Sequence, residues 1–267
     1  MNVKAIGIAI ASLLILVQAS WAKEQNKEDV SPKYKLRNTY FIEHYSFDSD
    51  DTIGTSLSFV YRGIKDVTLF GENIHQEKFG EYETLFKGGA AFSLMERTSL
   101  QETVGFSSGK STFPKFLSDT GVTYMIMDKL YLEPGYSFYL FDEVNAHAFY
   151  AGATFYPTSR FYVNAKFFRS LYDFDGEDSL SYNNSFLTKI GYYLDLRNEV
   201  TFTYATNTES FLSVDQIGNF SANTYILGWN TDLTNQWTFV TSFSYQDRKK
   251  PVQADQKRFE AGLTYTW

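Results

Sequence analysis

Apolar and polar residues alternate one by one along most of the chain. At the C-terminus Phe259, Ala261, Leu263, Tyr265 and Trp267 share one parity, and Arg258, Glu260, Gly262, Thr264 and Thr266 share the other. Successive side chains of a strand point to opposite faces, so this spacing predicts a strand with one apolar and one polar face. Val200, Phe202 and Tyr204 stand opposite Thr201, Thr203 and Ala205 in the same way. Ile53, Thr55, Leu57, Phe59 and Tyr61 stand opposite Gly54, Ser56, Ser58, Val60 and Arg62. After residue 22 no stripe with the 3.6-residue period of an amphipathic helix competes with this pattern.

Glycine marks a repeat on top of the alternation. Gly54, Gly89, Gly121, Gly152, Gly191, Gly228 and Gly262 recur at spacings of 35, 32, 31, 39, 37 and 34 residues, each within a strand-like run. One spacing holds two strands, one tight turn and one longer connection, so seven units predict fourteen strands. The short connections are 63–66, 95–97, 128–129, 157–159, 195–198 and 231–235. The longer, more acidic ones are 48–51, 77–81, 110–116, 142–145, 173–178, 213–218 and 247–256. Glu133-Pro134-Gly135 interrupts the run Leu130 to Leu140. Read as a turn it would reduce the count to twelve strands, but the residues after Gly135 are too few to cross a bilayer. A single bulged strand is the expectation.

These signals define an all-β fold, a single transmembrane antiparallel up-and-down β-barrel of about fourteen strands over residues 34–267. A soluble β-sandwich would share the alternation. It would not explain rings gathered near strand ends, an unbroken hairpin order and an apolar face that persists through every strand. A lipid-facing band with aromatic girdles explains all three, because closure satisfies every backbone group where no water is available. Outer-membrane barrels carry short periplasmic turns and longer extracellular loops, so both termini are expected in the periplasm.

Composition narrows the class further. The 267 residues include 25 Phe, 20 Tyr and 4 Trp but no Cys, with 24 Lys+Arg against 31 Asp+Glu. The lack of cysteine excludes disulfides, thiolate metal sites, a cysteine nucleophile and a lipidated N-terminal Cys. An acidic chain with scattered basic residues lacks the stripe that binds nucleic acid. Residues 1–22 read as a signal peptide, with Lys4, an apolar run from Ala5 to Val17, and small residues Ser20 and Ala22 at the cleavage positions. The alternative of a membrane anchor is disfavoured because the run is shorter than the ~20 residues a spanning helix needs. Cleavage removes one lysine and takes the formal charge from −7 to −8. Residues 23–33 then form a short periplasmic segment before the barrel.

The ending Glu260-x-Gly262-x-x-Tyr265-x-Trp267 resembles the C-terminal signal read by the barrel assembly machinery, with Gly262, Tyr265 and Trp267 as its elements. Four further stretches are similar to the YaiO family of outer-membrane β-barrels. They are Thr68-Leu69-Phe70, Glu81-Tyr82-Glu83-Thr84, Ser111-Thr112-Phe113-Pro114-Lys115-Phe116 and Pro134-Gly135-Tyr136-Ser137-Phe138-Tyr139. The resemblance runs from about residue 34 to the end. It implies an outer-membrane location and an association with cell-surface polysaccharide.

If the seven glycines point inward, parity assigns the lumen. The inward candidates are Ser56, Ser58, Arg62, Lys87, Asp119, Lys189, Arg258 and Glu260, joined by Glu133, Tyr139, Tyr162 and Lys166. Eight of them, Arg62, Lys87, Glu133, Tyr139, Tyr162, Lys166, Lys189 and Arg258, are candidates for binding a solute. Lys and Arg would meet anionic groups of an oligosaccharide while Tyr rings stack on pyranose faces. The competing reading is that the charges pair across the lumen and fill it, since fourteen strands lie between side-chain-filled and water-filled barrels.

Other constellations are weaker. His44, His75 and His147 fall near the predicted extracellular ends of strands. Asp142 and Glu143 lie near His147, and Glu72 and Glu77 near His75, so a rim histidine oriented by a carboxylate is the route to an enzyme. No His-x-Ser pair accompanies them. The run Asp173 to Asp178 lacks the spacing of a calcium loop, and no cofactor or metal signature occurs. Three functions remain: a narrow passage or envelope component linked to surface polysaccharide, a non-conducting adaptor barrel, and a surface enzyme. Expected partners are outer-membrane lipid and lipopolysaccharide, the assembly machinery and an oligosaccharide. Nucleic acid is not expected, and the oligomeric state is open.

Overall fold

The computed structural model describes residues 32–46, 51–78, 80–108, 113–175, 180–207, 221–250 and 254–267. The signal peptide, nearly all of the segment before the barrel, and the connections 47–50, 109–112, 176–179, 208–220 and 251–253 lie outside the described residues.

Among the described residues fifteen strand segments form one antiparallel sheet. The first six are β1 (Tyr34–Tyr45), β2 (Thr52–Ile64), β3 (Val67–Lys78), β4 (Glu81–Met95), β5 (Thr98–Ser107) and β6 (Phe116–Met127). Then come β7 (Leu130–Leu132), β8 (Gly135–Leu140), β9 (Val144–Thr158), β10 (Phe161–Phe174) and β11 (Ser181–Tyr193). The last four are β12 (Asn198–Thr206), β13 (Ser221–Asp232), β14 (Trp237–Lys250) and β15 (Ala254–Thr266). Apart from β7 and β8, each pairs with its neighbour in sequence, and β1 pairs with β15, so the sheet closes. The segments β7 and β8 occupy one position in the wall, both lying between β6 and β9. The barrel therefore has fourteen strands.

The expected bulge at Pro134 is absent. Leu132 pairs with Ala153 and Gly135 with Tyr150, so three residues advance on each strand and nothing is inserted. The ladder continues through the gap: Glu133 and Gly152 exchange both backbone hydrogen bonds, and the Pro134 carbonyl accepts from Val122 N–H. Proline forfeits only its own missing donor.

One end of the barrel carries the start of β1, the end of β15 and the tight turns. There Tyr34 and Trp267 exchange backbone hydrogen bonds at 3.0 and 3.1 Å. In the turn before β12, Asp195 accepts from the Arg197 and Asn198 N–H groups at 2.7 and 2.8 Å, which holds its carboxyl below the usual range. The opposite, loop end differs from expectation in two connections. β3 runs to Lys78 and β4 starts at Glu81, so the connection expected at 77–81 shrinks to two residues, with Gly80 at φ 77°. β14 runs to Lys250 and β15 starts at Ala254, so most of 247–256 is ladder.

Burial follows parity around the wall. Tyr40, Leu57, Phe86, Phe106, Phe149, Phe167, Phe202, Leu227, Phe243 and Phe259 are exposed, as suits a surface whose solvent is lipid. All seven marker glycines take the other, inward parity. At four of them, Gly54, Gly89, Gly121 and Gly191, an aromatic side chain lies where a side chain would be. A Cβ on Gly191 would sit 2.1 Å from Tyr162 Cε1, and one on Gly54 would sit 2.2 Å from Phe41 Cζ. At Gly54, Gly89, Gly121 and Gly191 the missing side chain leaves a flat position that a ring from a nearby strand covers, and at Gly152 the Lys166 stem does the same.

Candidate functional site: a filled lumen with a half-open end

The inward residues nearest the loop end are buried. Lys78 donates to Glu43 at 3.1 Å, and Tyr45 also hydrogen-bonds to Glu43. Lys87 pairs with Glu72 at 2.6 Å, and Ser56 donates to the same carboxylate at 2.6 Å. Lys166 pairs with Glu133 at 2.8 Å, and Thr154 donates to Glu133 at 2.5 Å. Asp119 accepts from Ser137 and from Tyr150 at 3.4 Å. Arg258 reaches Glu260 at 3.1 Å and Glu43 at 3.8 Å, and its guanidinium lies 3.7 Å over the Phe41 ring. Lys78, Lys87, Lys166 and Arg258 are each met by a carboxylate, and those carboxylates by further donors, which offsets the cost of taking both out of water.

An apolar plug completes this closure. Phe41, Ile74, Leu85 and Leu117 are inward residues of four strands, and Phe113 packs among them with Tyr139 at the edge. Phe113 and Pro114 precede β6 in the connection from β5, and both are buried. The next residue, Lys115, is exposed and pairs with Asp142 in the connection from β8 to β9. The segment thus turns its ring into the barrel and its charge outward.

Towards the turn end the inward residues open. Arg37, Ser58, Arg62, Gln101, Thr123 and Glu199 are all half-buried. On one side an arc of rings crosses four neighbouring strands: Tyr131 to Tyr156 at 5.9 Å, Tyr156 to Tyr162 at 5.6 Å, and Tyr162 to Tyr193 at 6.3 Å between centroids. Tyr162 is 2% exposed, and its hydroxyl donates to Glu199 at 3.0 Å. Asn230 donates to the other Glu199 oxygen at 2.9 Å. The result is a vestibule with ring edges and polar groups on its wall.

The lumen candidates therefore divide. All of them lie on the inward face. Lys87, Glu133, Lys166 and Arg258 are committed to ion pairs, Tyr139 to the apolar plug, and Tyr162 to Gly191 and Glu199. Arg62 and Lys189 lie towards the vestibule. Tyr131, Tyr156, Tyr193 and Glu199 were missed by the sequence reading, although parity would have found them. Tyr193 lies two residues after Gly191, and Tyr156 four after Gly152.

The histidines do not form a common site. All three face outward, on β1, β3 and β9. His75 is paired by Thr84 at 2.9 Å and His147 by the Tyr136 hydroxyl at 2.8 Å. Of the carboxylates expected beside them, Glu72 is on the inward face and Asp142 is paired with Lys115, while Glu77 shares the outward face with His75 and hydrogen-bonds to Tyr82. His44 does meet a carboxylate, Asp51, at 2.8 Å. Among the described residues no three His, Asp or Glu side chains gather as a metal set, and 176–178 of the acidic run lie outside them.

Closure, an apolar outer band and girdles of rings at the barrel ends define a transmembrane β-barrel of the outer-membrane kind. The YaiO membrane beta barrel domain matches residues 33–210, and the chain belongs to that family. Among solved structures the chain is similar to the CymD monoaromatic hydrocarbon channel, at 10% identity over 89% of each chain with a TM-score of 0.61. It is similar to the toluene transporter TodX of Pseudomonas putida, at 8% identity over 89% of this chain and 90% of that one, TM-score 0.55. A bacterial polysaccharide outer membrane secretin matches at 7% identity over 90% and 100%, TM-score 0.55. At such identities the likeness is one of fold. No curated protein matches the chain.

Proposed function

We propose that this protein is a gated, narrow passage for oligosaccharides through the outer membrane, with its termini and vestibule on the periplasmic side and a role in handling cell-surface polysaccharide. The observation that carries the reading is the asymmetry of the lumen. One end offers half-exposed tyrosine edges and polar groups suited to a sugar, and the other is shut by Phe113 and buried ion pairs. Channel-like neighbours such as CymD and TodX support passage in general terms. A non-conducting adaptor is the second reading, favoured by the density of paired charges in the wall-to-wall packing.

Oligosaccharide flux into proteoliposomes separates the two. The passage reading expects slow flux through the wild type, accelerated at least tenfold by Phe113→Ala. Absence of flux from both proteins would leave the adaptor.

A further inference from the structure

Lys189 differs from the other buried lysines of the described residues. Lys78, Lys87 and Lys166 each have a carboxylate within 3.1 Å. Lys189, on β11, is 9% exposed. Its ammonium has the Tyr162 ring at 5.9 Å and no carboxylate within ion-pairing distance among the described residues. Glu199, on the adjacent strand, has its two oxygens engaged by Tyr162 and Asn230. Arg37 is held by Glu260 at 3.3 Å. The next inward position on β11 towards the turn end is Gly191, followed by Tyr193 at the vestibule. Lys189 therefore stands at the inner end of the vestibule, directly above the arc of rings.

Resting on the passage reading, we propose that Lys189 is the anion-binding group of a saccharide subsite, and that the preferred solute is a carboxylated sugar, a uronic acid unit within an oligosaccharide. An enclosed ammonium with no carboxylate at ion-pairing distance gains from an anion that arrives beside it, and Glu199, which acts on Lys189 from beyond that distance, already holds hydrogen bonds from Tyr162 and Asn230. A single ammonium matches one carboxylate. A phosphate carries more charge and more acceptors, and is better met by a fork of arginine donors, which the neighbouring Arg37 does not offer while bound to Glu260. The rings of Tyr131, Tyr156 and Tyr193 lie where the pyranose attached to that carboxylate would rest.

The test is binding to the full barrel in lipid nanodiscs, with mannuronate trimer, mannotriose and mannose 6-phosphate as probes at low and high salt. Wild type should bind the acidic trimer at least tenfold more tightly than the neutral one, with the preference falling as salt rises. Lys189→Met should abolish the preference while neutral binding persists, and Lys189→Arg should keep most of it. Equal binding of the two trimers by wild type, or a preference unchanged in Lys189→Met, overturns the acidic subsite and leaves the saccharide reading intact. Tighter, Lys189-dependent binding of the sugar phosphate overturns the carboxylate assignment. Binding of neither trimer removes the saccharide reading itself. Should Lys189→Met fail to insert, the wild-type preference, its salt dependence and the arginine variant decide.

Discussion

Thr120 donates a hydrogen bond to the Glu102 carboxyl at 2.7 Å on the lipid-facing side of the wall. The two residues are direct partners across β5 and β6. Four positions away in one direction lies the pair Thr98 and Tyr124, and four in the other lies Phe106 and Phe116. Glu102 thus sits midway between aromatic positions, where hydrocarbon is the solvent. A carboxyl there is unfavourable, by less than the ~2–4 kcal/mol of a basic residue at the bilayer midplane. Glu102→Leu is expected to stabilise the barrel by about 1 kcal/mol, read as a higher urea midpoint in lipid vesicles. A lower midpoint would mean that Glu102 serves the folded barrel in another way.

The pair Lys166 and Glu133 predicts strong coupling. Removing either partner leaves a buried charge, so Lys166→Met or Glu133→Leu alone should cost about 3–5 kcal/mol. The double variant should cost far less than the sum. A double-mutant cycle from unfolding in vesicles checks this, and additive losses would show that the two charges are solvated independently.

Gly191 and Tyr162 predict a steric dependence. Gly191→Ala should lower the yield of heat-modifiable barrel on detergent gels, because a Cβ would meet the ring at 2.1 Å. Adding Tyr162→Leu should restore much of the yield. If Gly191→Ala folds normally, the ring has room to move and the close packing is not required.

At the C-terminus, Trp267 stacks on Tyr34 at 5.2 Å and on Tyr265 at 5.1 Å, and Tyr265 lies 4.6 Å from Trp237. The ending that resembles an assembly signal therefore also helps close β15 onto β1. Trp267→Ala separates the two roles. Loss of insertion in cells with normal folding into vesicles in vitro would indicate recognition by the assembly machinery, and loss in both would indicate closure alone.

Alternation made the wall legible because lipid outside and packed side chains inside impose a two-residue period on every strand. The seven glycines marked strand number and lumen parity because all of them face inward, where side chains such as Phe41, Tyr162 and Lys166 need the room. What parity could not supply was partnership. Nothing along the chain says that Lys166 meets Glu133 while Lys189 meets no carboxylate, since those contacts depend on barrel shear. Pro134 misled towards a bulge because a proline missing one donor can still sit in an unbroken register. Phe113 was visible as an apolar residue in a polar connection, but its entry into the barrel depends on the cluster formed by four other strands. Acidic residues near 77–81 and 247–256 read as loops because water beyond the bilayer allows a strand to carry charge on both faces.

The central claim is that the lumen is open to the periplasm as far as the vestibule and shut above it. Because the chain has no cysteine, single cysteines report this without background. Variants Ser58→Cys and Thr123→Cys sample the vestibule, Thr103→Cys and Ser244→Cys the packed lumen, and Lys115→Cys the loop end. A membrane-impermeant maleimide should label Lys115→Cys on intact cells. It should label Ser58→Cys and Thr123→Cys only after the outer membrane is permeabilised, and leave the packed-lumen variants unmodified in both states. Labelling of Ser58→Cys on intact cells as fast as Lys115→Cys would contradict the account.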